Sequence, residues 1–135
     1  MKKDIIIPKV ENVFLAAVQE WNDDFMDKVW NVYLINDSDF ELENIIVVSK
    51  AYGKIEGEMR KSSLLRHGFK SLPSVSALKI EMIENSVLAL NNEFMVTYFI
   101  GNTLYDKKFT FRQNTINEHA TEEVPHLWMN GVVVK

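Results

Sequence analysis

His67 lies in the run Ser62-Ser63-Leu64-Leu65-Arg66-His67-Gly68. An imidazole beside a guanidinium and two hydroxyls is equipped to hold a phosphate or a carboxylate. Arg66 and His67 are therefore the candidate ligand-binding residues of a small-molecule or anion site. No glycine-rich strand-to-helix loop accompanies them, so a phosphate cradle has no support. The plainer alternative is a surface loop whose Arg66 pairs with a nearby acid.

His119, Glu122, Glu123 and His126 form the one metal-like cluster in the sequence. Imidazole and carboxylate suit zinc or similar ions. The spacing is not that of the helical HExxH motif, and Pro125 opposes a regular helix through both histidines. A polar connecting loop is the better reading, so no metal site and no cofactor are assigned. Asp37, Asp39, Glu41 and Glu43 alternate and would share one face of an extended strand. They do not make an EF-hand: counting from Asp37, the sixth position is Leu42, where that loop needs glycine. A solvated acidic turn at a sheet edge is expected, and charged edges discourage aggregation. There is no GxSxG elbow, and no Ser–His–Asp order can be argued. No catalytic residue is assigned, and the enzyme reading has no positive support.

The remaining signal is apolar residues on both faces of certain strands. In Val29 to Asn36, Trp30, Val32 and Leu34 can face a core while Val29, Tyr33 and Ile35 occupy the other face. In Glu93 to Ile100, the second face holds Met95, Thr97 and Phe99. A two-layer sandwich should carry polar residues on such faces. Either the loops 84–92 and 113–130 cover them, or they form an apolar patch for a protein partner or a second copy. Tyr33, Ile35, Met95 and Phe99 are the candidate partner-binding residues of the second case.

The elements that position these residues read as strands. Val29 to Asn36 and Asn44 to Tyr52 are β-rich runs flanking the acidic turn Asn36-Asp37-Ser38-Asp39, which predicts adjacent antiparallel strands. Val13 to Trp21 reads as a strand, with Ala16 and Ala17 leaving a helix open, and 22–28 as a loop. Gly53 to Phe69 is punctuated by Gly53 and Gly57 and leaves strand and helical turn both open. In Val75 to Ile83, Leu78, Ile80 and Met82 alternate with Lys79 and Glu81, the period of a half-buried strand. Residues 84–92 form a connection with room for one helical turn. Glu93 to Ile100 and Thr103 to Arg112 flank Gly101-Asn102, a hairpin turn pair that tolerates positive φ. Residues 113–130 are polar and irregular, and Gly131 to Val134 is a terminal strand. The sum is mostly β: a single-domain antiparallel β-sandwich of about seven strands over 1–135, with 1–12 as a lead-in strand or loose arm.

The arrangement resembles an immunoglobulin-like or fibronectin-like sandwich, though without the cysteine pair of antibody-type domains. The segments WNVYLIN (30–36), SKAYG (49–53), LLRH (64–67) and YDKKF (105–109) resemble a family of short uncharacterised bacterial proteins over most of the chain. Some members carry a transferred label of phenylalanyl-tRNA synthetase alpha subunit. The resemblance implies no such activity here, because the chain is far too short for a synthetase core and has no convincing class II motif.

Bulk properties bound the rest. A chain of 135 residues that is 47% hydrophobic can bury a sizeable core without a disulfide or metal. It has no cysteine, which excludes thiol chemistry and fits a reducing compartment. Pro8, Lys9, Glu11 and Asn12 interrupt the apolar N-terminal run, so no signal peptide or membrane span is read there. The formal net charge of -4 argues against a general nucleic-acid binder. Acidic residues concentrate between Glu20 and Glu43 and basic ones between Lys50 and Lys70. These are two solvated edges or a complementary pair of patches. The expectation is a non-enzymatic cytoplasmic binding or assembly module, with the Arg66/His67 ligand site as its alternative.

Overall fold

The computed structural model describes residues 8–135. The N-terminal arm expected over 1–12 falls mostly outside them. Ten strands form among the described residues: β1 (Val13–Asn22), β2 (Asp27–Asn36), β3 (Leu42–Ile55), β4 (Glu58–Lys61), β5 (Leu65–Leu72), β6 (Ser76–Ile83), β7 (Asn91–Ile100), β8 (Thr103–Phe111), β9 (Glu122–Val124) and β10 (Met129–Val134). One sheet runs β6-β2-β1-β10-β9; the other runs β4-β3-β7-β8, with β5 also on β3. All pairings are antiparallel. The count exceeds the seven expected because Gly53 to Phe69 yields two edge pieces and the 113–130 connection contributes β9.

The Gly101-Asn102 hairpin forms as read, with Ile100 opposite Thr103. Its inner face builds the second sheet's half of the core. Phe94 meets Phe111 edge-on with centroids 5.9 Å apart, and Tyr98 stacks on Tyr105 at 5.3 Å. Such aromatic pairs add about 1 kcal/mol beyond area burial. Opposite them stand Leu15, Ala17, Trp30, Val32 and Leu34 of the first sheet, all buried. Residues 84–92 hold one 3-10 turn at Asn85–Val87.

The expected adjacency of the second and third strands changes. β2 and β3 are not a hairpin: β2 pairs with β1 and β6, and β3 with β4, β5 and β7. The residues between them turn a corner from one sheet to the other. Asn36, fully buried, fixes that corner by donating its amide to Phe40 O (2.8 Å) and Pro73 O (2.9 Å). Its Oδ1 accepts from Ser38 Oγ at 2.6 Å. Asp37, Asp39 and Glu41 lie in this corner rather than on a strand, so they share no common face with Glu43.

On the first sheet's outer side the covered alternative holds. Phe14, Ala16, Val18 and Ile35 lie there by register, opposite Leu15, Ala17 and Leu34, and yet are buried. Cover comes from the β9–β10 hairpin. His126 at its tip bonds Asp37 at 2.7 Å, and Val124 packs by Val18 around Gly131. A Cβ on Gly131 would stand 2.7 Å from Ala17 O and 3.1 Å from Val124 Cγ2, so only glycine fits where β10 bends. Pro125 follows β9, an edge strand, as its missing N–H requires. Among the described residues no helix is long and apolar enough to cross a membrane.

Candidate functional site

Two features stand out among the described residues: a cleft between the edges of the two sheets, and an apolar sheet face that no other described segment covers. The cleft arises from two irregularities. β4 and β5 both pair with β3, end to end, and the edge they form is broken at residues 62–64. At the break, Ser62 N donates to Ala51 O (2.8 Å), and Ala51 N donates to Ser62 Oγ (2.8 Å) in place of a ladder carbonyl. The facing edge, β6, carries a bulge. Val32 lies opposite Glu81 and Tyr33 opposite Lys79, so Ile80 is the extra residue. A bulge adds one residue to a strand and re-aims the side chains after it. Here it puts Glu81 and Ile83 on the core side with Val32 and Trp30, and sends Met82 to the outer side. The simple alternation of Leu78, Ile80 and Met82 is thereby broken.

Glu81 then faces the second sheet. Ser49 Oγ of β3 donates to Glu81 Oε1 at 2.5 Å, and His67 Nε2 of β5 lies 2.9 Å from the same oxygen. The Glu81 side chain is only 12% exposed. A carboxylate this sheltered needs such partners. Beside the trio opens a cavity of about 320 Å³, walled by Ser62, Ser63, Asn92, Leu65 and Phe94 among others. The order of contacts is not that of an activated nucleophile. Ser49 donates its hydrogen bond to the carboxylate, whereas a serine triad needs serine bonded to histidine and histidine to the acid. The trio is a braced carboxylate linking two sheets.

Arg66 and His67 are not brought together. They are neighbours on β5 and point to opposite faces: His67 lies opposite Val47 on the core side, Arg66 opposite Val48 on the outer side. His67 takes a carboxylate of this chain as its partner. Sequence reasoning missed Glu81 and Ser49. Ser49 shares the inward parity of Val47 and Ala51, which was visible; the bulge that turns Glu81 inward had no local signal. Among the described residues no three histidine, aspartate or glutamate side chains converge to hold a metal ion. His126 is turned to Asp37 instead of to His119 or Glu122.

The four candidate partner-binding residues do not form one surface. Tyr33 and Ile35 belong to the first sheet and Met95 and Phe99 to the second. Ile35 is fully buried, and the Tyr33 hydroxyl donates to Glu20 Oε1 at 2.6 Å. Burial raises the Tyr33 phenol far above its ordinary range, with the Glu20 hydrogen bond and charge adding to it. Met95 and Phe99 sit on the outer side of the second sheet. Their neighbours by register are Val48, Ile46 with Thr97, and Leu104. Ile46 is 47%, Met95 36% and Leu104 49% exposed. Around them stand Arg66, Asp106, Glu43 and a chain of ion pairs, Lys50–Glu93 (3.5 Å) and Lys108–Glu93 (3.6 Å).

Among the described residues, fold and site thus define a two-sheet antiparallel β-sandwich with one covered and one open outer face. Comparison with protein-family models, with curated proteins and with solved structures found no match to this chain.

Proposed function

We propose that this protein is a non-enzymatic binding and assembly module that joins a second copy of itself through the outer face of the second sheet. The observation that carries the reading is the exposed stripe of Ile46, Met95 and Leu104, extended by half-buried Val48 and Phe99. The outer face of a lone sandwich is expected to be polar, and an apolar centre with a charged rim is the make-up of an interface.

Charge placement favours a second copy as the occupant. Across the strands, Lys108 shares a row with Met95 and Val48, and Asp106 shares the next with Thr97 and Ile46. A two-fold axis lying between these rows exchanges them. Lys108 of one copy then stands over Asp106 of the other, and Val48 over Ile46. The same axis sets Lys50 over Glu43, both exposed. An isologous interface has to be self-complementary in this way.

Neighbouring strands β1-β2-β6 and β3-β7-β8 correspond to the A-B-E and C-F-G neighbours of an immunoglobulin-type sandwich. That supports an Ig-like origin, with β9 and β10 as an addition beside β1. A chain without cysteine fits the cytoplasm, where we place the module. Light scattering on a sizing column at low and high salt tests the proposal. A dimer that persists in high salt is expected from an apolar centre; a monomer at both salt concentrations contradicts it.

A further inference from the structure

We propose that the cleft beside Glu81 binds a small organic cation, a primary ammonium on an apolar body. The warrant is an imbalance between donors and acceptors on its wall. Ser49 Oγ already donates to Glu81, and Ser62 Oγ donates to Ser63 O at 3.0 Å. Asn92, only 5% exposed, gives its amide hydrogens to Val87 O (2.9 Å) and Leu90 O (3.1 Å). Its Oδ1 remains an acceptor without a partner among the described residues. Glu81 Oε1 receives Ser49 and His67, while Oε2 has no hydrogen-bond partner among the described residues. The wall therefore offers acceptors and has committed most of its donors, so its ligand must donate.

Charge points the same way. Glu81 is paired with no lysine or arginine among the described residues, and the one basic side chain that it contacts there is His67. Lys50 borders the cavity, but its Nζ lies 3.5 Å from Glu93 on the outer face. Glu84 adds a second carboxylate at the exposed rim. Phe94, Leu65, Ile83 and Val87 supply an apolar wall beside these acceptors. A volume of about 320 Å³ is at the small end of ligand sites, which limits the ligand to a compact molecule. Charge-assisted hydrogen bonds to a sheltered carboxylate are about twice as strong as neutral ones, and this sets the preference for a cation.

The test uses the whole 135-residue chain and three probes of one shape: 2-phenylethylamine, 2-phenylethanol and 3-phenylpropanoate. Binding is followed by amide chemical shifts and calorimetry up to about 10 mM, a range that reaches millimolar dissociation constants. The amine is expected to bind saturably, with shifts centred on Ala51, Asn92 and Phe94, and roughly tenfold tighter than the alcohol. In Glu81→Gln that preference is expected to disappear while the alcohol binds as before. Equal affinity for the three probes, tighter binding of the acid, shifts located elsewhere, or no saturable binding of the amine overturns the proposal. The comparison of probes on the native protein stands even if Glu81→Gln folds poorly.

Discussion

Asp37 and His126 are 89 residues apart in the chain and 2.7 Å apart in space. The contact ties the tip of the β9–β10 hairpin to the corner after β2 and so holds a lid of chain over Phe14, Val18 and Ile35. It explains why the first sheet has no open face. The contact is partly exposed, and exposed polar contacts contribute little, so removing it is expected to cost about 0.5 kcal/mol. A double-mutant cycle of Asp37→Asn and His126→Gln in urea unfolding measures the coupling. A coupling of zero contradicts the assigned contact.

Asn36 is expected to matter more. It is fully buried and its side chain bonds Phe40 O, Leu72 O, Pro73 O and Ser38. Asn36→Ala strands several carbonyls at the crossing between sheets, at a cost of about 2–3 kcal/mol. Thermal unfolding of the variant gives the value. A loss below about 0.5 kcal/mol would show that the corner is held by other means.

These two residues also show where the sequence was legible. The inward row Phe94, Val96, Tyr98 and the turn Gly101-Asn102 were readable because period and turn chemistry are local. The corner at Asn36 was misread as a hairpin turn, since the same short polar side chains stabilise both and only pairing partners tell them apart. Two-sided apolar strands announced a covered or a sticky face but not which. Ile35 is covered and Ile46 is open because a hairpin about 90 residues downstream folds over one sheet and not the other, a relation no local pattern carries. Glu81 looked like the solvent side of an alternating strand until the Ile80 bulge reversed its parity.

Alkaline pH is expected to destabilise the fold. Burial pushes the Tyr98 phenol up to about 12, with the neighbouring Tyr105 adding to the effect, and raises Tyr33 further. Both shifts favour the neutral phenol in the folded state. Their contribution is fully present below the unfolded value of about 10 and is lost as pH rises from there toward and beyond 12. The melting temperature should therefore fall above pH 10, and Tyr33→Phe should make that fall shallower. An unchanged slope in Tyr33→Phe contradicts its assigned environment.

In the proposed dimer the Ile46/Met95/Leu104 face joins two copies. Sedimentation equilibrium of the native protein beside Ile46→Glu tests it most directly. Ile46 is about half exposed and touches the core little, so the substitution should leave the melting temperature of the single chain nearly unchanged. A native dimer and a monomeric Ile46→Glu are expected, because two carboxylates would meet near the two-fold axis. A native monomer, or a dimer that Ile46→Glu leaves intact, would contradict it.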